Sequence, residues 1–315
     1  MSVGTVGPLW RIDGPQPVAQ QYGLLQAAAS AVPGVTLVSP DVDQDGIDRW
    51  INGVSLYPFP PDLGDVFDLC APGSVAASKG FGDDLGNPEF GAMTVWLAET
   101  CTSARVAWSG EGGQEAYKAR AVTSFAAIEG AAVAYEFMTG ARMPANPHLS
   151  DGTGDFPLGA TATSVTNGFA VLENYIGTKS GKLGIIHCTP GAALTMGQFR
   201  IDNKAGYIRT LNGNIVIPDA GYALANSQAS YPHTYPAPGA NEEWIYATGP
   251  INIRRSEIFV EPPTVAEALD RGLGATNNKP NSISYRAERY YVVSADFVVH
   301  AAVLVDRCMV TCDGS

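Results

Sequence analysis

The sequence predicts an α+β fold, and three observations along the chain support this prediction. One long helix is indicated over residues 114–139, helical and strand-like segments follow one another over 162–217, and strand-like segments dominate 243–306. A long helix and a strand-rich end in separate stretches of the chain are typical of α+β proteins, and the alternating stretch between them predicts an α/β subdomain. With 315 residues, the chain is long enough for one large domain or two modest ones.

The composition is that of a folded chain that hides much of its surface. Charged residues make up only 16% of the sequence, below the usual quarter, so less surface than normal is committed to solvated charge. The content of 35 glycines and 22 prolines predicts many turns and extended segments. A net charge of -12 and scattered basic residues exclude tight, phosphate-driven nucleic-acid binding, whereas an acidic wall around packed DNA stays compatible.

Targeting and redox signals are weak. The first ten residues lack the basic segment and apolar run of a signal peptide, and no stretch reaches the roughly 18 apolar residues of a membrane span. We therefore expect synthesis in the cytoplasm. Widely spaced cysteines without a CxxC pair indicate reduced, structural thiols; they are Cys70, Cys101, Cys188, Cys308 and Cys312.

The first 110 residues predict an arm followed by a projecting hairpin. Residues 1–48 contain Gly-Pro and Pro-x-Pro punctuation around one short helical candidate, 23–31, and this pattern indicates an extended arm. Residues 50–59 and 90–101 are rich in β-branched and aromatic residues and predict two strands. The acidic, Gly-rich segment between them predicts a long exposed loop, and the two strands a β-hairpin.

Residues 114–139 give the clearest helical signal and would span about 39 Å. Gly140 is a suitable residue to end the helix. Apolar residues that recur every three or four positions predict one packing stripe; they are Val122, Phe125, Ile128, Ala132, Tyr135 and Met138.

The following stretch alternates between helix and strand. We predict a helix over 162–176, a strand over 183–188 and a short helix after Pro190. Asn212-Gly213 predicts a hairpin with a type I′ turn between strands 207–211 and 214–217.

Polar and Pro-rich residues 225–242 indicate a surface loop. Beyond it, strand-like segments predict one antiparallel sheet; they are 243–248, 251–260, 284–293 and 297–306. Residues 264–273 are predicted to form either a short helix or an exposed flap.

No specific catalytic motif is present in the sequence, so we expect no catalytic residue, no cofactor and no metal. His187 and Cys188 are consecutive on a predicted strand, which points their side chains to opposite faces and makes them poor partners for one metal. Glu129 and Glu136 could act as an acid/base pair, but ordinary salt bridges, with Arg120 and Lys118 on the same helix, or a role as interface charges are favoured.

The order of segments resembles the Hong Kong 97-type fold of tailed-phage major capsid proteins and encapsulins. Several stretches are similar to major capsid proteins of actinobacterial phages, namely RWING followed by LYPFP, WLAETC at 96–101, EWIYATGPINIR at 243–254 and SYRAERYYVVSADFVVHAAVLVD at 284–306. The resemblance implies an N-terminal arm (1–48), an E-loop hairpin region (49–110), a P-domain spine helix (111–156), an A-domain (157–242) and P-domain return strands (243–315).

The same resemblance implies which residues make contacts. E-loops of the family lie across neighbouring subunits, so Lys79, Phe81, Phe90 and Arg105 are expected at contacts between subunits. Spine-helix packing is expected at Val122, Phe125, Ile128 and Tyr135. Some members of the family form Lys-Asn isopeptide crosslinks, and Lys79 is the sole lysine of the projected loop. We expect the shell to be stabilised by non-covalent contacts or by decoration proteins.

The implied function is that of a major capsid protein. Copies would assemble as hexamers and pentamers into an icosahedral head shell around double-stranded DNA, without sequence-specific DNA binding or membrane contact. Separate scaffolding, portal and decoration proteins are the expected further partners, and the location is the virion, with the host cytoplasm during assembly. Two alternatives stay open: an encapsulin-like compartment subunit, and a hydrolase or carbohydrate-binding module.

Overall fold

A computed structural model describes residues 17–18, 22–38, 41–42, 47–56, 88–101, 113–196, 208–227, 235–261 and 283–308. The chain divides into two compact units. The smaller comprises residues 1–19, 97–127 and 260–287, and the larger comprises residues 20–96, 128–259 and 288–315. In the described part of the smaller unit, Phe125, Tyr285 and Ala287 are buried.

The described segments contain short strands, one long helix and four shorter helices. In chain order the elements are α1 (Leu24–Ala29), β1 (Val35–Val38), β2 (Val54–Ser55), β3 (Glu89–Phe90), β4 (Met93–Cys101), α2 (Gly113–Thr139), β5 (Thr163–Ser164), α3 (Val165–Ser180), β6 (Ile185–Cys188), α4 (Pro190–Thr195), β7 (Ile208–Arg209), β8 (Ile215–Pro218), α5 (Ala220–Asn226), β9 (Glu242–Thr248), β10 (Ile251–Arg255), β11 (Phe259–Glu261), β12 (Ile283–Ala295) and β13 (His300–Asp306). The mixed content confirms the predicted α+β class.

The central element of the larger unit is a six-stranded sheet with order β5-β13-β9-β6-β8-β7. β6 pairs in parallel with β8 and antiparallel with β9, and β9 pairs antiparallel with β13. Both faces are covered, because successive strand residues such as Ile185 and Ile186 belong to different core clusters. The first cluster includes residues of α1, α2 and α5, and the second includes residues of α3 and α4.

A second sheet has order β1-β10-β12-β11, with β4 also paired to β12. The predicted single antiparallel sheet at the end of the chain is therefore wrong. β9 and β13 join the six-stranded sheet, whereas β10 and β12 pair with each other in the second one. Tertiary packing decides this division, since a Gly-Pro turn such as Gly249-Pro250 is compatible with strands that pair and with strands that separate.

The amino-terminal segment is not an extended arm where the structure describes it. The predicted short helix is confirmed as α1, and β1 pairs in parallel with β10 from Val35 opposite Ile251 to Val38 opposite Arg254. Leu24 and Val35 are buried in the first core cluster. Residues 1–16, 19–21, 39–40 and 43–46 lie outside the described segments, so the arm prediction stays a prediction there.

The long helix is confirmed, since α2 covers Gly113–Thr139 and ends at Gly140, which has a φ of 57°. The predicted helix at 162–176 is displaced to Val165–Ser180, because Ser164 caps its first turn by accepting a hydrogen bond from the Asn167 N–H at 3.3 Å. α5 was not predicted; the Asp219 side chain caps it by accepting from the Gly221 N–H at 2.8 Å.

The hairpin around Asn212-Gly213 is confirmed by the antiparallel pairing of β7 with β8. The type I′ turn is wrong, because Asn212 does not have a positive φ and Gly213 does, at 90°. Hydrogen bonds from the Gly213 N–H to Thr210 O and from the Thr210 N–H to Asn214 O describe a three-residue loop with glycine in the left-handed position.

Candidate functional site

The structure describes one of the four residues predicted to contact a neighbouring subunit. Lys79, Phe81 and Arg105 lie outside the described segments. Phe90 is in β3 and is 1% exposed, packed in a cluster with Trp50 and Val292. The prediction that Phe90 is a surface contact is therefore wrong. Its ring packs in an apolar cluster of its own subunit and so anchors the hairpin there.

The base of the predicted hairpin is present, although its strands are shorter than predicted. β2 pairs antiparallel with β3, with Val54 opposite Phe90. Residues 50–53 form a turn in place of the start of a strand, closed by the Gly53 N–H donating to Trp50 O at 2.8 Å. Gly53 has a φ of 102°, and a Cβ there would lie 2.7 Å from Phe90 O, so the close approach of the two chains needs glycine.

A side-chain amide ties this hairpin base to the loop that follows α2. Asn146 Oδ1 accepts from the Gly91 N–H at 2.7 Å, and Asn146 Nδ2 donates to Gly91 O at 3.0 Å. The amide thus satisfies both backbone groups of one residue, as a neighbouring strand would. Nothing in the sequence pattern predicts this role, since Asn146 between Pro144 and Pro147 is indistinguishable from an ordinary turn residue.

The face of α2 that the sequence assigned to packing is only partly buried. Phe125 is buried, Val122 and Tyr135 are half-buried, and Ile128 is 40% exposed. The packing prediction is wrong at Ile128, because the buried line passes through other residues of a helix that is apolar on several sides. Those residues are Ala121, Phe125, Val133, Ala134, Phe137 and Met138.

The charged residues of α2 make structural contacts. Glu129 Oε2 accepts from Arg289 Nη1 at 3.0 Å and also from the Tyr291 hydroxyl. The expected salt bridging of Glu129 is present, but its partner is Arg289 of β12 and not a residue of the same helix. Glu136 accepts from the backbone N–H groups of Arg142 and Met143 and so stabilises the loop after the helix.

Two buried histidines lie at the six-stranded sheet, and each is held by neutral partners. His187 contacts the Tyr222 hydroxyl and Thr248 Oγ1, each at 2.9 Å, and burial lowers its pKa to about 3. The adjacent Cys188 belongs to the core cluster on the other face, which confirms that the two side chains diverge. Burial also lowers the pKa of His300, whose Nε2 lies 3.0 Å from Leu149 O.

These buried polar groups make hydrogen bonds within the subunit. In the part of the chain that the structure describes, no group of three or more histidine, cysteine or acidic side chains is placed to hold a metal ion. His187 and His300 use their ring nitrogens in hydrogen bonds to a hydroxyl or a carbonyl group. Among the described helices, none is long and apolar enough to cross a membrane.

The fold matches those of a phage chain and of a GTA capsid chain. A chain from Mycobacterium phage Cain aligns over 98% of this chain and 97% of its own length, with a TM-score of 0.51 and 11% identity. A chain from the capsid of an empty GTA particle aligns over 97% of each chain, with a TM-score of 0.50 and 12% identity. No protein-family model matches the sequence, and no curated protein does. The chain thus shares the fold of a GTA capsid chain and of a phage chain over nearly its whole length.

Proposed function

We propose that this chain is a major capsid protein whose copies assemble into the icosahedral shell of a tailed-phage head around double-stranded DNA. The observation that supports this most is the match in fold over nearly the full length of a phage chain and of a GTA capsid chain. A net charge of -12 fits a wall that encloses DNA without binding its phosphates tightly. The buried polar groups, which are used in structural hydrogen bonds, fit a non-enzymatic role.

Within this proposal, the segment between β2 and β3 is the part of the E-loop that reaches a neighbouring subunit. The base of the E-loop is fixed to its own subunit by the Trp50 and Phe90 cluster and by Asn146, so a contact made farther along the E-loop would be transmitted to the rest of the subunit. Lys79, Phe81 and Arg105 remain the proposed contact residues. The six-stranded sheet with its covering helices is proposed as the A-domain, and α2 with the second sheet as the P-domain.

The assembly can be tested by expressing the chain with and without the scaffolding protein of its own gene cluster. Negative-stain micrographs and sedimentation velocity are expected to show closed shells or the hexamers and pentamers that build them. A chain that stays monomeric both with and without the scaffolding protein would contradict the proposal. Particles that package a protein cargo and no DNA would favour an encapsulin-like compartment.

The role of the E-loop can be tested separately by deleting residues 75–87. This deletion leaves Pro88 in place, whose carbonyl oxygen accepts a hydrogen bond from the Leu56 N–H at 3.0 Å. The variant is expected to fold and to form no closed shells. A second variant that replaces the same residues by a Gly-Ser segment of equal length controls for the length of the connection. Normal particles from both variants would contradict the placement of the E-loop at the contact between subunits.

A further inference from the structure

The segment between β1 and β2 has the residue spacing of a calcium-binding loop. Residues 41–46 read DVDQDG, with three alternating aspartates followed by a glycine. In calcium-binding loops of this pattern the alternating carboxylates surround one ion, and the glycine allows the chain to turn sharply. Asp43, Asp45 and Gly46 lie outside the described segments, whereas both ends of the loop are described.

Backbone contacts hold the two described ends of this loop together. Val42 and Asp48 form an antiparallel bridge, and the Arg49 N–H donates to Asp41 O at 2.9 Å. The 41–48 loop therefore closes on itself. A loop whose ends meet can bring carboxylates from both ends to one point.

Asp48 is the unusual residue of this loop, because its carboxylate is buried and incompletely partnered. Asp48 is only 8% exposed, and its Oδ1 has no hydrogen-bond partner within the described segments. Burial raises the pKa of Asp48, and the negative charges of Asp41 and Glu257 raise it further, whereas a hydrogen bond from the Asp41 N–H lowers it. The carboxylate thus lies beside Asp41, at the closed end of the loop.

The surroundings of the Asp48 carboxylate favour a bound cation. Buried carboxylates are normally paired with a cation or with several donors, whereas the groups that act on this one are a single N–H and two further carboxylates. Arg49 is directed to Asp41, with 3.8 Å between its Nε and Asp41 Oδ1, and both side chains are exposed. Exposed pairs of this kind are weak, so a cation can replace Arg49 at little cost.

The enclosure of Asp48 Oδ1 by the protein is compatible with a metal ion, although it excludes an incoming side chain. A hydrogen-bonded water or ammonium group lies about 2.8–3.0 Å from an oxygen, whereas Ca²⁺ lies at about 2.3–2.6 Å. An ion around which the loop folds therefore fits where a water molecule does not.

We infer that the 41–48 loop binds one Ca²⁺ ion, with the carboxylates of Asp41, Asp43, Asp45 and Asp48 as its protein ligands. Ligands that are all oxygen favour a hard cation over zinc or copper. For this segment, the inference replaces the expectation that the chain binds no metal. Because the loop lies between β1 and the hairpin base, the ion would stiffen the connection between them.

Two features predict that Ca²⁺ binds less tightly here than in EF-hand proteins. Asn52 stands at the position where the twelve-residue EF-hand loop has a bidentate glutamate. Arg49 also adds a positive charge beside Asp41. We therefore expect a dissociation constant on the order of 0.1 mM.

Calorimetric titration of the unassembled subunit with CaCl₂, after dialysis against EDTA, tests the inference. We expect about one Ca²⁺ per chain and at least about tenfold weaker binding of Mg²⁺, which demands octahedral geometry and loses its water reluctantly. The thermal midpoint of the subunit should rise by about 2–4 °C when the Ca²⁺ concentration is about ten times the dissociation constant.

The nearly isosteric variant Asp48→Asn removes one charge from the loop. We expect its Ca²⁺ affinity to fall at least about tenfold, because a carboxylate ligand is lost. Its thermal midpoint without Ca²⁺ should stay the same or rise, since the repulsion from Asp41 and Glu257 is relieved. Asp306→Asn is the charge-matched control, because its amide oxygen can still accept from the Cys308 N–H, and it should bind Ca²⁺ like the wild type.

Three outcomes would overturn the inference: no Ca²⁺ binding by the wild-type chain, equal affinity for Mg²⁺ and Ca²⁺, or unchanged Ca²⁺ affinity in Asp48→Asn. If Asp48→Asn is insoluble, Asp41→Asn, at the exposed end of the loop, should show the same loss of affinity in the same titration, and unchanged affinity there would overturn the inference. These measurements use the unassembled subunit, so their outcome does not depend on whether the chain forms shells.

Discussion

Asn146 holds both backbone polar groups of Gly91 through its side-chain amide, with hydrogen bonds of 2.7 and 3.0 Å. The pair joins the loop after α2 to the segment between β3 and β4, 55 residues away in sequence. We expect Asn146→Ala to lower the free energy of unfolding by about 1–3 kcal/mol, since two half-buried backbone groups lose their partner. Urea denaturation of the soluble subunit measures this loss.

The exposed Asn241→Ala serves as the control for Asn146→Ala and should change stability little. Hydrogen exchange adds a local test, because the Gly91 amide should exchange faster in Asn146→Ala while amides of the six-stranded sheet remain protected. Unchanged exchange at Gly91 would show that the amide does not hold the hairpin base.

Alanine substitutions of Gly130, inside α2, and of Gly140, which follows the helix, are expected to change the stability of the subunit in opposite directions. At Gly140 the φ is 57° and a Cβ would lie 2.6 Å from His148 Nδ1, so Gly140→Ala should destabilise the subunit by about 1–3 kcal/mol. Gly130, inside the helix, has open space around a Cβ, so Gly130→Ala should stabilise by about 0.5–1 kcal/mol. Thermal midpoints of the two variants that shift in the same direction would contradict this.

The corrected buried face of α2 can be checked with a matched pair of truncations. Phe125 is fully buried, so Phe125→Ala should cost about 3–5 kcal/mol of unfolding free energy. Ile128, which the sequence placed on the same stripe, is 40% exposed, so Ile128→Ala should cost about 0.5 kcal/mol or less. Equal losses of unfolding free energy in the two variants would instead support the packing stripe that the sequence predicted, with Ile128 buried.

The buried His187 should make the subunit sensitive to acid. Its pKa is about 3 in the folded state, below the ordinary value of 6.5, so the unfolded chain binds a proton first as the pH falls. The stability that neutral His187 provides is therefore lost progressively below pH 6.5, by up to about 1.4 kcal/mol per pH unit. Unfolding free energies from pH 7 to 4 should fall less steeply in His187→Gln than in the wild type.

Asp219 should oppose this trend. Burial raises its folded-state pKa to about 6, from an ordinary value of 3.8, so protonation between these pH values favours the folded state. Asp219→Asn removes this contribution, and its unfolding free energy should fall more steeply than that of the wild type between pH 6 and 4. Its baseline stability also drops, because the Leu24 N–H loses a carboxylate acceptor, so the slope and not the absolute value is the measurement.

The sequence determined the elements whose signals are local. The apolar repeat and the terminal Gly140 predicted α2 almost to its ends, and Asn212-Gly213 predicted the β7–β8 hairpin. Alternation along a strand predicted that His187 and Cys188 face opposite sides. Each of these features depends on backbone geometry over a few residues, which composition and spacing express directly.

Which faces and strands meet depends on packing between segments that are distant in the chain. The tertiary structure placed β9 and β13 in one sheet and β10 and β12 in another, buried Phe90 in its own subunit and left Ile128 exposed. The hydrogen bonds of the Asn146 amide and the ion pair of Glu129 with Arg289 depend on groups brought together from distant parts of the chain. Such contacts are selected by packing and by the need to satisfy buried polar groups, and neither leaves a periodic pattern in the sequence.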